Sequence, residues 1–270
     1  MSEPKVFVLR TAGTNCDGET KYACAKAGAS VDLIHINRWL ANPSLLHQYH
    51  FFIIAGGFSY GDDLGAGTVL ANQLKQKLFE ELRRFIQERK LVLGICNGFQ
   101  ALVKLGLLPD IQSAASNQQF PIIQESTLGP NDSGKFEDRW IYLKKSSNRC
   151  VFTGNWYRDP IYLPVAHGEG KFIPVNKKIL DTLIANDQVV FRYADADGHP
   201  TKKYPWNPNG SVDNIAGICD PTGRIMGMMP HPERFAEITN HPRWTREKLP
   251  EPTDGMLLFL NAIKYIKENL

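Results

Sequence analysis

The chain has 270 residues, of which 43% are hydrophobic and 22% are charged, and its formal net charge is +3. This composition is typical of a globular protein, and so small a charge gives no support to a nucleic-acid partner. The amino terminus lacks the apolar segment of a signal peptide, and no apolar run approaches membrane-spanning length, so we expect a cytoplasmic protein with no membrane partner. The cysteines, 5 at irregular spacing, predict neither a disulfide framework nor a zinc site.

The first part of the chain alternates short apolar runs with amphipathic segments. The runs are nearly continuous in apolar character, which predicts strands buried on both faces of a parallel sheet. Helical patterns lie between them, and this alternation predicts a three-layer α/β domain that binds ligands at the carboxyl ends of its strands. The predicted strands are 5–10, 31–36, 51–57 and 91–95, and the predicted helices are 18–29 and 68–90.

The second part of the chain has short strand patterns broken by Gly, Pro, Asn and Asp, which predict antiparallel hairpins and long loops. Residues 195–211 are polar and rich in turn formers, and we expect a long loop there that is functional or mobile. Residues 254–270 predict a closing amphipathic helix with Thr253 or Asp254 as its N-cap. The predicted strands are 119–129, 139–145, 160–172, 188–195, 214–220 and 224–230.

Cys96 lies in the stretch GICNGFQ, residues 94–100, directly after an apolar run. The glycines at 94 and 98 allow a sharp turn from a strand into a helix at this cysteine, as in strained nucleophile elbows. N–H groups at the start of the helix would stabilise a thiolate, and the Asn97 N–H could bind an oxyanion. Taken alone, the pattern is equally compatible with a small buried cysteine in a tight turn.

A thiol nucleophile needs a base, and among the 7 histidines His231 has the most informative context. It lies in PHPER, residues 230–234, where prolines on both sides restrict the backbone. Glu233 could turn its carboxylate back to one imidazole nitrogen and leave the other to face the thiol, as in a catalytic triad. The alternative is a surface turn with a capping histidine, which the elbow motif disfavours.

A third motif, IIAGGFSYGDDLGAG at 53–67, follows the third predicted strand. Its glycines let the backbone approach a ligand or present N–H groups to it, and the Gly57 N–H fits the place of a second oxyanion donor. The alternatives are a flexible loop and a phosphate-binding loop. The motif is not a P-loop, because no Gly-Lys-Ser/Thr follows, and it does not match GxGxxG.

These three motifs together resemble the glutamine amidotransferases of the Cys-His-Glu class. Further segments resemble, in the same order along the chain, the glutaminase component of phosphoribosylformylglycinamidine synthase. The resemblance implies a flavodoxin-like fold with a central, mostly parallel sheet and added antiparallel strands. It also implies glutamine hydrolysis, with the ammonia passed to a synthase that converts formylglycinamide ribonucleotide to formylglycinamidine ribonucleotide in purine biosynthesis. The segments are TNCDGE (14–19), GGFSYGDD (56–63), NDSGKFEDRW (131–140), PVAHGEGKF (164–172) and 207–234.

The resemblance assigns roles to individual residues. Cys96 would be the nucleophile, His231 the base and Glu233 the group that orients it. The substrate glutamine would be held by side chains from the helix after the nucleophile and from two loops, although His167 also suits a supporting or partner-contacting role. The implied oxyanion donors are Gly57 and Asn97, and the implied substrate-binding residues are Gln100, Phe136, Glu137 and His167.

The implied reaction needs no metal or organic cofactor in this chain, whereas ATP and magnesium are expected on the synthase partner. A single glutamine amidotransferase domain over 1–270 is expected, with a C-terminal extension at 236–270, and the start at Met1 suggests a complete subunit. The chain is longer than the compact separate subunits of this family: the segment 195–206 is extended, and the tail 236–255 resembles the end of the fused, large-type synthases. Two assemblies therefore stay open: a separate synthase with a small accessory subunit, or a large-type synthase that lacks its own glutaminase.

Two other functions are compatible with these residues. A cysteine peptidase or stress sensor can be built on the same elbow, but such proteins usually lack a His-Pro-Glu sequence after the base strand. A catalytically inactive protein that only binds a synthase is the second alternative, and the full set of Cys96, His231 and Glu233 argues against it.

Overall fold

The computed structural model describes residues 3–111, 123–154 and 156–270. Its secondary structure alternates strands and helices up to residue 104 and is dominated by strands thereafter, as the sequence predicts. The strands are β1 (Lys5–Arg10), β2 (Ser30–His35), β3 (Phe51–Ile54), β4 (Leu91–Ile95), β5 (Ser126–Pro130), β6 (Glu137–Lys145), β7 (Ile161–His167), β8 (Glu169–Pro174), β9 (Val189–Ala194), β10 (Ile215–Cys219) and β11 (Ile225–Met228). The helices are α1 (Asp17–Lys26), α2 (Ile36–Ala41), α3 (Thr68–Lys77), α4 (Phe79–Gln87), α5 (Asn97–Lys104), α6 (Lys177–Ala185) and α7 (Asp254–Asn269).

A 9-stranded sheet runs through the centre of the molecule in the order β2-β1-β3-β4-β11-β10-β9-β6-β7. The strands from β2 to β11 pair in parallel, and those from β11 to β7 pair antiparallel. Strands β5 and β8 form a separate 2-stranded antiparallel sheet. The architecture is therefore α/β with a parallel half and added antiparallel strands, which confirms the predicted fold class.

Strand β11 departs from the prediction that the second part of the chain pairs only antiparallel. It pairs in parallel with β4, where Met228 lies opposite Ile95, and antiparallel with β10 on its other edge. All residues of β11 are buried, so its apolar sequence suits a strand inside the sheet. This insertion matters for function, because it brings the residues after β11 next to those after β4.

The segment 68–90 is two helices and not the single helix that its periodicity predicts. The backbone leaves the helical conformation at Leu78, with φ −131° and ψ 3°, between α3 and α4. Leu78 is buried, and its N–H still donates to the Leu74 carbonyl while its carbonyl accepts from Leu82. Because the hydrogen bonds continue across the break and no Gly or Pro lies there, tertiary packing rather than a local sequence signal positions it.

The C-terminal segment packs against the turn that carries the predicted base. Thr253 caps α7, since its hydroxyl accepts from the Met256 N–H at 3.4 Å, which confirms one of the two predicted caps. The same hydroxyl donates to the carbonyl of Phe235, at the end of the turn Pro232–Phe235. Asp254 pairs with Arg158 at 3.0 Å and so ties the helix to the residues before β7.

The segment 195–211 is bonded to the main sheet in its second half. Its second half is buried at Asn207 and Asn209. The Asn209 amide donates to the Gly170 carbonyl at 2.8 Å and to the Tyr193 hydroxyl at 2.9 Å. These bonds fasten the segment to β8 and β9.

Two further expectations concern the predicted strand 119–129 and membrane-spanning helices. The first residues of the predicted strand 119–129, up to residue 122, lie outside the described residues. Within the described ranges, no helix combines the length and apolar character that a membrane span requires.

Candidate active site

Cys96 occupies a strained turn between β4 and α5. Its backbone has φ 50° and ψ −104°, a positive φ that residues with a β-carbon seldom adopt. The sulfur lies at the carboxyl end of β4 and at the amino end of α5, where unpaired helix N–H groups favour negative charge. Cys96 thus has the geometry of a nucleophile elbow.

The glycines around Cys96 are required by close packing. A β-carbon at Gly94 would lie 2.6 Å from the carbonyl oxygen of Gly98, and one at Gly98 would lie 1.9 Å from the carbonyl oxygen of Ile54. The helix therefore rests directly on the backbones of β3 and β4. This contact explains why the motif has glycine on both sides of the cysteine.

His231 lies beside this elbow because β11 is the neighbour of β4. The Cys96 N–H donates to the Met228 carbonyl at 2.8 Å, which joins the end of β4 to the end of β11. The His231 N–H donates to the Pro164 carbonyl of β7 at 2.8 Å, and Pro232 begins the following turn. The histidine backbone is thus held on both sides.

Glu233 contacts the imidazole of His231 through a short hydrogen bond. The Nδ1 and Oε1 atoms are 2.6 Å apart, and both residues are buried. Burial alone would lower the pKa of His231, but the Glu233 carboxylate and then the Cys96 thiol outweigh it and raise that pKa well above its usual value. His231 Nε2 has no hydrogen-bond partner among the described residues, so it is available to a reacting group.

The Gly56–Gly57 peptide lies at the end of β3, next to the loop between β1 and α1. Gly57 pairs with Thr14, and the bonds of this pairing run from Asn15 N–H to Gly56 O at 3.4 Å and from Phe58 N–H to Gly13 O at 2.9 Å. The Gly57 N–H lies outside these bonds. Gly57 has φ 142°, and a β-carbon there would lie 2.7 Å from the Asn15 nitrogen, so only glycine fits.

Asn97, the other predicted oxyanion donor, also has a structural role through its side chain. Its Oδ1 accepts from the Ser59 N–H at 3.2 Å, and its Nδ2 donates to Asp62 Oδ1 at 3.0 Å. Asp62 also accepts from the Gly67 N–H at 3.3 Å. Because Asp62 is half-buried, its pKa is raised despite these bonds. Asn97 thus ties the glycine-rich loop to the start of α5.

Gln100, predicted to hold the substrate, has both ends of its amide bonded within the protein. Its Oε1 accepts from Asn97 Nδ2 at 3.0 Å, and its Nε2 donates to the Glu169 carbonyl at 2.6 Å. Glu169 Oε2 in turn accepts from the Ala66 N–H at 3.3 Å. Gln100 therefore links α5 to β8 in this structure, and its contact with a substrate stays a prediction.

His167 lies at the end of β7, close to the elbow. The preceding Ala166 carbonyl accepts from Cys96 Sγ at 3.6 Å. His167 Nδ1 bonds Asn131 Oδ1 at 3.0 Å, and its Nε2 has no partner among the described residues. Burial, followed by the charge of His231, lowers the pKa of His167 to about 3, so this side chain is a neutral polar group.

Phe136 and Glu137 differ in their exposure and in their contacts. Phe136 is half exposed and lies 6.2 Å, centroid to centroid, from Phe58 of the glycine-rich loop. Glu137 is buried and pairs with Arg139 at 2.5 Å. The structure thus gathers the predicted residues at one edge of the sheet, with Phe136 on the rim and Glu137 engaged by an arginine.

The residues that sequence reasoning missed are those brought to the site by other loops. They include Cys16, Asp62 and Arg234. Asp62 and Arg234 lie inside motifs whose chemistry was assigned to other residues, and Cys16 lies in TNCDGE, to which no role was assigned. Cys16 Sγ and the donor atoms of His231 and Glu233 lie within 4.8 Å of one another. The motif TNCDGE contains Cys16, but nothing in the sequence shows that its loop meets the loop of His231.

The thiols and carboxylates elsewhere offer less for cofactor binding. Away from the site, the cysteines at 24, 150 and 219 are free and buried. Asp195, Asp197 and His199 lie close enough together to hold a cation, but in a largely exposed turn.

The chain is similar to a known family and to known proteins over nearly its whole length. Residues 3–266 match the model of the CobB/CobQ-like glutamine amidotransferase domain. The chain is 47% identical over 269 residues to the phosphoribosylformylglycinamidine synthase subunit PurQ of Dehalococcoides mccartyi, with 99% of this chain and 100% of the relative covered. It is 42% identical to the PurQ subunit of Archaeoglobus fulgidus, with 98% of both chains covered.

A similar solved structure is a chain in the structure of PurLQS from Thermotoga maritima. The TM-score is 0.72 at 29% identity, and 98% of this chain and 99% of that chain are covered. Because PurQ subunits match over 98% or more of their own length, the segments 195–206 and 236–255 are not marks of a fused, large-type synthase.

Proposed function

The chain belongs to the PurQ family, the glutaminase subunits of phosphoribosylformylglycinamidine synthase, and from this premise we propose that Cys96, His231 and Glu233 carry out the hydrolysis. As a glutaminase subunit it supplies ammonia for the conversion of formylglycinamide ribonucleotide to formylglycinamidine ribonucleotide. Its partners are the synthase subunit and the small accessory subunit, as in PurLQS. Family membership favours this function over a peptidase or a stress sensor.

The observation that carries the proposal is the position of two parallel strands. The strained Cys96 turn at the end of β4 and the His231–Glu233 pair after β11 lie side by side, joined by the bond from Cys96 N–H to Met228 O. A buried carboxylate that holds one imidazole nitrogen leaves the other to accept a proton. This is the arrangement that an acyl-transfer reaction with a thiol nucleophile requires.

The first half of the reaction forms a thioester. The Cys96 thiol gives its proton to His231, and the thiolate attacks the amide carbon of glutamine. The N–H groups of Gly57 and Asn97 stabilise the negative charge of the tetrahedral intermediate. His231, oriented by Glu233, gives a proton to the leaving nitrogen. The C–N bond breaks, and ammonia leaves for the synthase.

The second half of the reaction restores the thiol. Water attacks the thioester carbon while His231 accepts its proton, and collapse of the intermediate releases glutamate and returns the proton to Cys96. Side chains, backbone groups and water supply each step. The proposal therefore assigns no cofactor to this chain. It assigns ATP and magnesium to the synthase partner, and it places the assembly in the cytoplasm.

The test is a reconstitution with the synthase and small accessory subunits. Cys96→Ala should abolish product formation from glutamine while formation from ammonium chloride continues, because the change removes the sulfur and little core packing. Cys150→Ala is the matched control, since it removes a buried free thiol at another position and should keep both activities. Loss of both activities by Cys96→Ala, with the subunit folded and bound, would contradict ammonia delivery.

A further inference from the structure

Cys16 lies beside the proposed base although it belongs to a different loop. It precedes α1 and is buried. Its sulfur is within 4.8 Å of a ring nitrogen of His231 and of a Glu233 carboxylate oxygen. A β-carbon at Gly56 would lie 2.8 Å from His231 Cε1 and 3.3 Å from Cys16 Sγ, so the imidazole and the sulfur share the space over this glycine.

The sulfur of Cys16 is held by partners of its own. Arg234 Nη2 donates to it at 3.1 Å, and its S–H donates to Asn15 Oδ1 at 3.1 Å. Arg234 directly follows Glu233, so the turn that carries the proposed base and its orienting carboxylate also grips the sulfur. These bonds fix the position of the sulfur against the imidazole.

The backbone of Cys16 acts on the proposed oxyanion donor. The Cys16 and Asn15 N–H groups donate to Gly56 O at 3.2 Å and 3.4 Å. Gly56 O and the Gly57 N–H belong to one peptide unit, which is planar and trans, so they point in opposite directions. Anchoring the carbonyl on the α1 side therefore directs the Gly57 N–H away from that side.

We propose that Cys16 is a positioning residue of the glutaminase reaction, in which its sulfur holds the His231 ring and its backbone N–H orients the Gly56–Gly57 peptide. This inference rests on the proposed function of Cys96 and His231. Cys16 itself is not a second nucleophile. Its sulfur is engaged by Arg234 and Asn15, and its backbone forms no strained turn, with φ −103° and ψ 12°.

The charged and titratable groups that face the His231 imidazole come from four parts of the chain. Glu233 lies on its own turn, Cys96 on the elbow after β4, Cys16 on the loop after β1, and His167 at the end of β7. The Glu233 carboxylate and the thiols raise the pKa of His231 against the effect of burial. Removing the Cys16 sulfur should therefore lower the pKa of His231.

The experiment uses the reconstituted complex with Cys16→Ala and Cys16→Ser, which both keep the backbone N–H. We expect Cys16→Ala to lower kcat with glutamine about three- to ten-fold, the size of one lost orienting contact, with KM within about two-fold. Ammonium-dependent synthesis should be unchanged. In both variants the limb of the kcat/KM profile that reports His231 should move to lower pH.

Cys150→Ala, which removes a buried thiol elsewhere, should keep the wild-type kcat and pH profile. If Cys16→Ala does not fold, the pH profile of Cys16→Ser decides. A wild-type profile in the variant that folds would overturn the inference. If Cys96→Ala loses only the glutamine-dependent reaction, the proposed function stands even when the inference on Cys16 fails. Unchanged glutamine use by Cys96→Ala would reject both the proposed function and the inference on Cys16.

Discussion

A β-carbon at Gly98 would lie 1.9 Å from the carbonyl oxygen of Ile54, because the first turn of α5 rests on the end of β3. Gly98→Ala should therefore destabilise the fold by about 3 kcal/mol or more through overpacking. In a chain of this size that corresponds to a fall in Tm of at least about 6 °C, which calorimetry can measure.

Gly18→Ala is the matched control for this change. Gly18 also lies in the first turn of a helix, but a β-carbon there would have no heavy atom within 4 Å. Since alanine has the higher helix propensity, the Tm of this variant should be unchanged or slightly raised. Equal Tm values for the two variants would show that the elbow is looser than the structure indicates.

A glutamine analogue with a diazoketone should label Cys96 and no other cysteine. Cys96 has the strained elbow at the amino end of α5, whereas the sulfurs of Cys16 and Cys150 contact Arg234 and Met226. Peptide mapping by mass spectrometry after labelling would locate the adduct, and Cys96→Ser should take up no label. Label found mainly on Cys16 or Cys24 would remove the basis for the nucleophile assignment.

His231→Ala should abolish glutamine-dependent synthesis, and Glu233→Gln should have a milder or comparable effect. The side-chain amide introduced by Glu233→Gln can still contact the His231 imidazole, but it lacks the charge that stabilises the protonated ring. We therefore expect kcat of Glu233→Gln to fall about 10²- to 10⁴-fold. Steady-state kinetics with glutamine and with ammonium chloride would separate the two reactions. A wild-type kcat in Glu233→Gln would mean that the 2.6 Å bond has no role in catalysis.

His167 should make the fold less stable in acid. Its pKa in the folded protein is about 3, below the unfolded value of about 6.5, so only the unfolded chain gains this proton as the pH falls between these values. In that window, each unit by which the pH falls therefore lowers the free energy of unfolding by up to about 1.4 kcal/mol through His167. His167→Gln should flatten the pH dependence of the unfolding free energy measured in urea between about pH 6 and pH 4. A slope equal to that of the wild type would contradict the burial of an uncharged imidazole.

Glutaminase activity should depend on the synthase partner. The glycine-rich loop 56–67 carries the exposed apolar side chains Phe58 and Leu64, and it is linked to α5 through Asn97. Docking of the partner should order this loop around the oxyanion donor, and we expect at least about ten-fold faster glutamate release in the complex. Glutamate release by the isolated chain at the rate of the complex would contradict this dependence on the partner.

The first four strands and the capped closing helix were predicted from the sequence, because their apolar patterns and cap residues act locally. The parallel pairing of β11 was not, since its four buried residues carry no information about their neighbours. The break at Leu78 also lacks a local signal, as the helical hydrogen bonds continue across it. Pairing partners and packing breaks are set by tertiary contacts.

The same division applies to the candidate site. Cys96 and the His231–Glu233 sequence could be recognised because glycines and prolines mark the local backbone that they need. Cys16 could not, because its position beside His231 depends on the order of β1, β3, β4 and β11 in the sheet. The buried amide network around Asn97 likewise joins separate loops, which no spacing in the sequence reveals.

The pairing of β4 with β11 has a consequence for the newly made protein. Cys96, the proposed nucleophile, is synthesised long before His231, the proposed base, and the two can meet only after β11 has inserted between β4 and β10. A growing or truncated chain that lacks β11 therefore holds a cysteine without its histidine, and it cannot release ammonia. We therefore expect no glutamine hydrolysis by this chain until nearly the whole polypeptide has left the ribosome and closed its sheet.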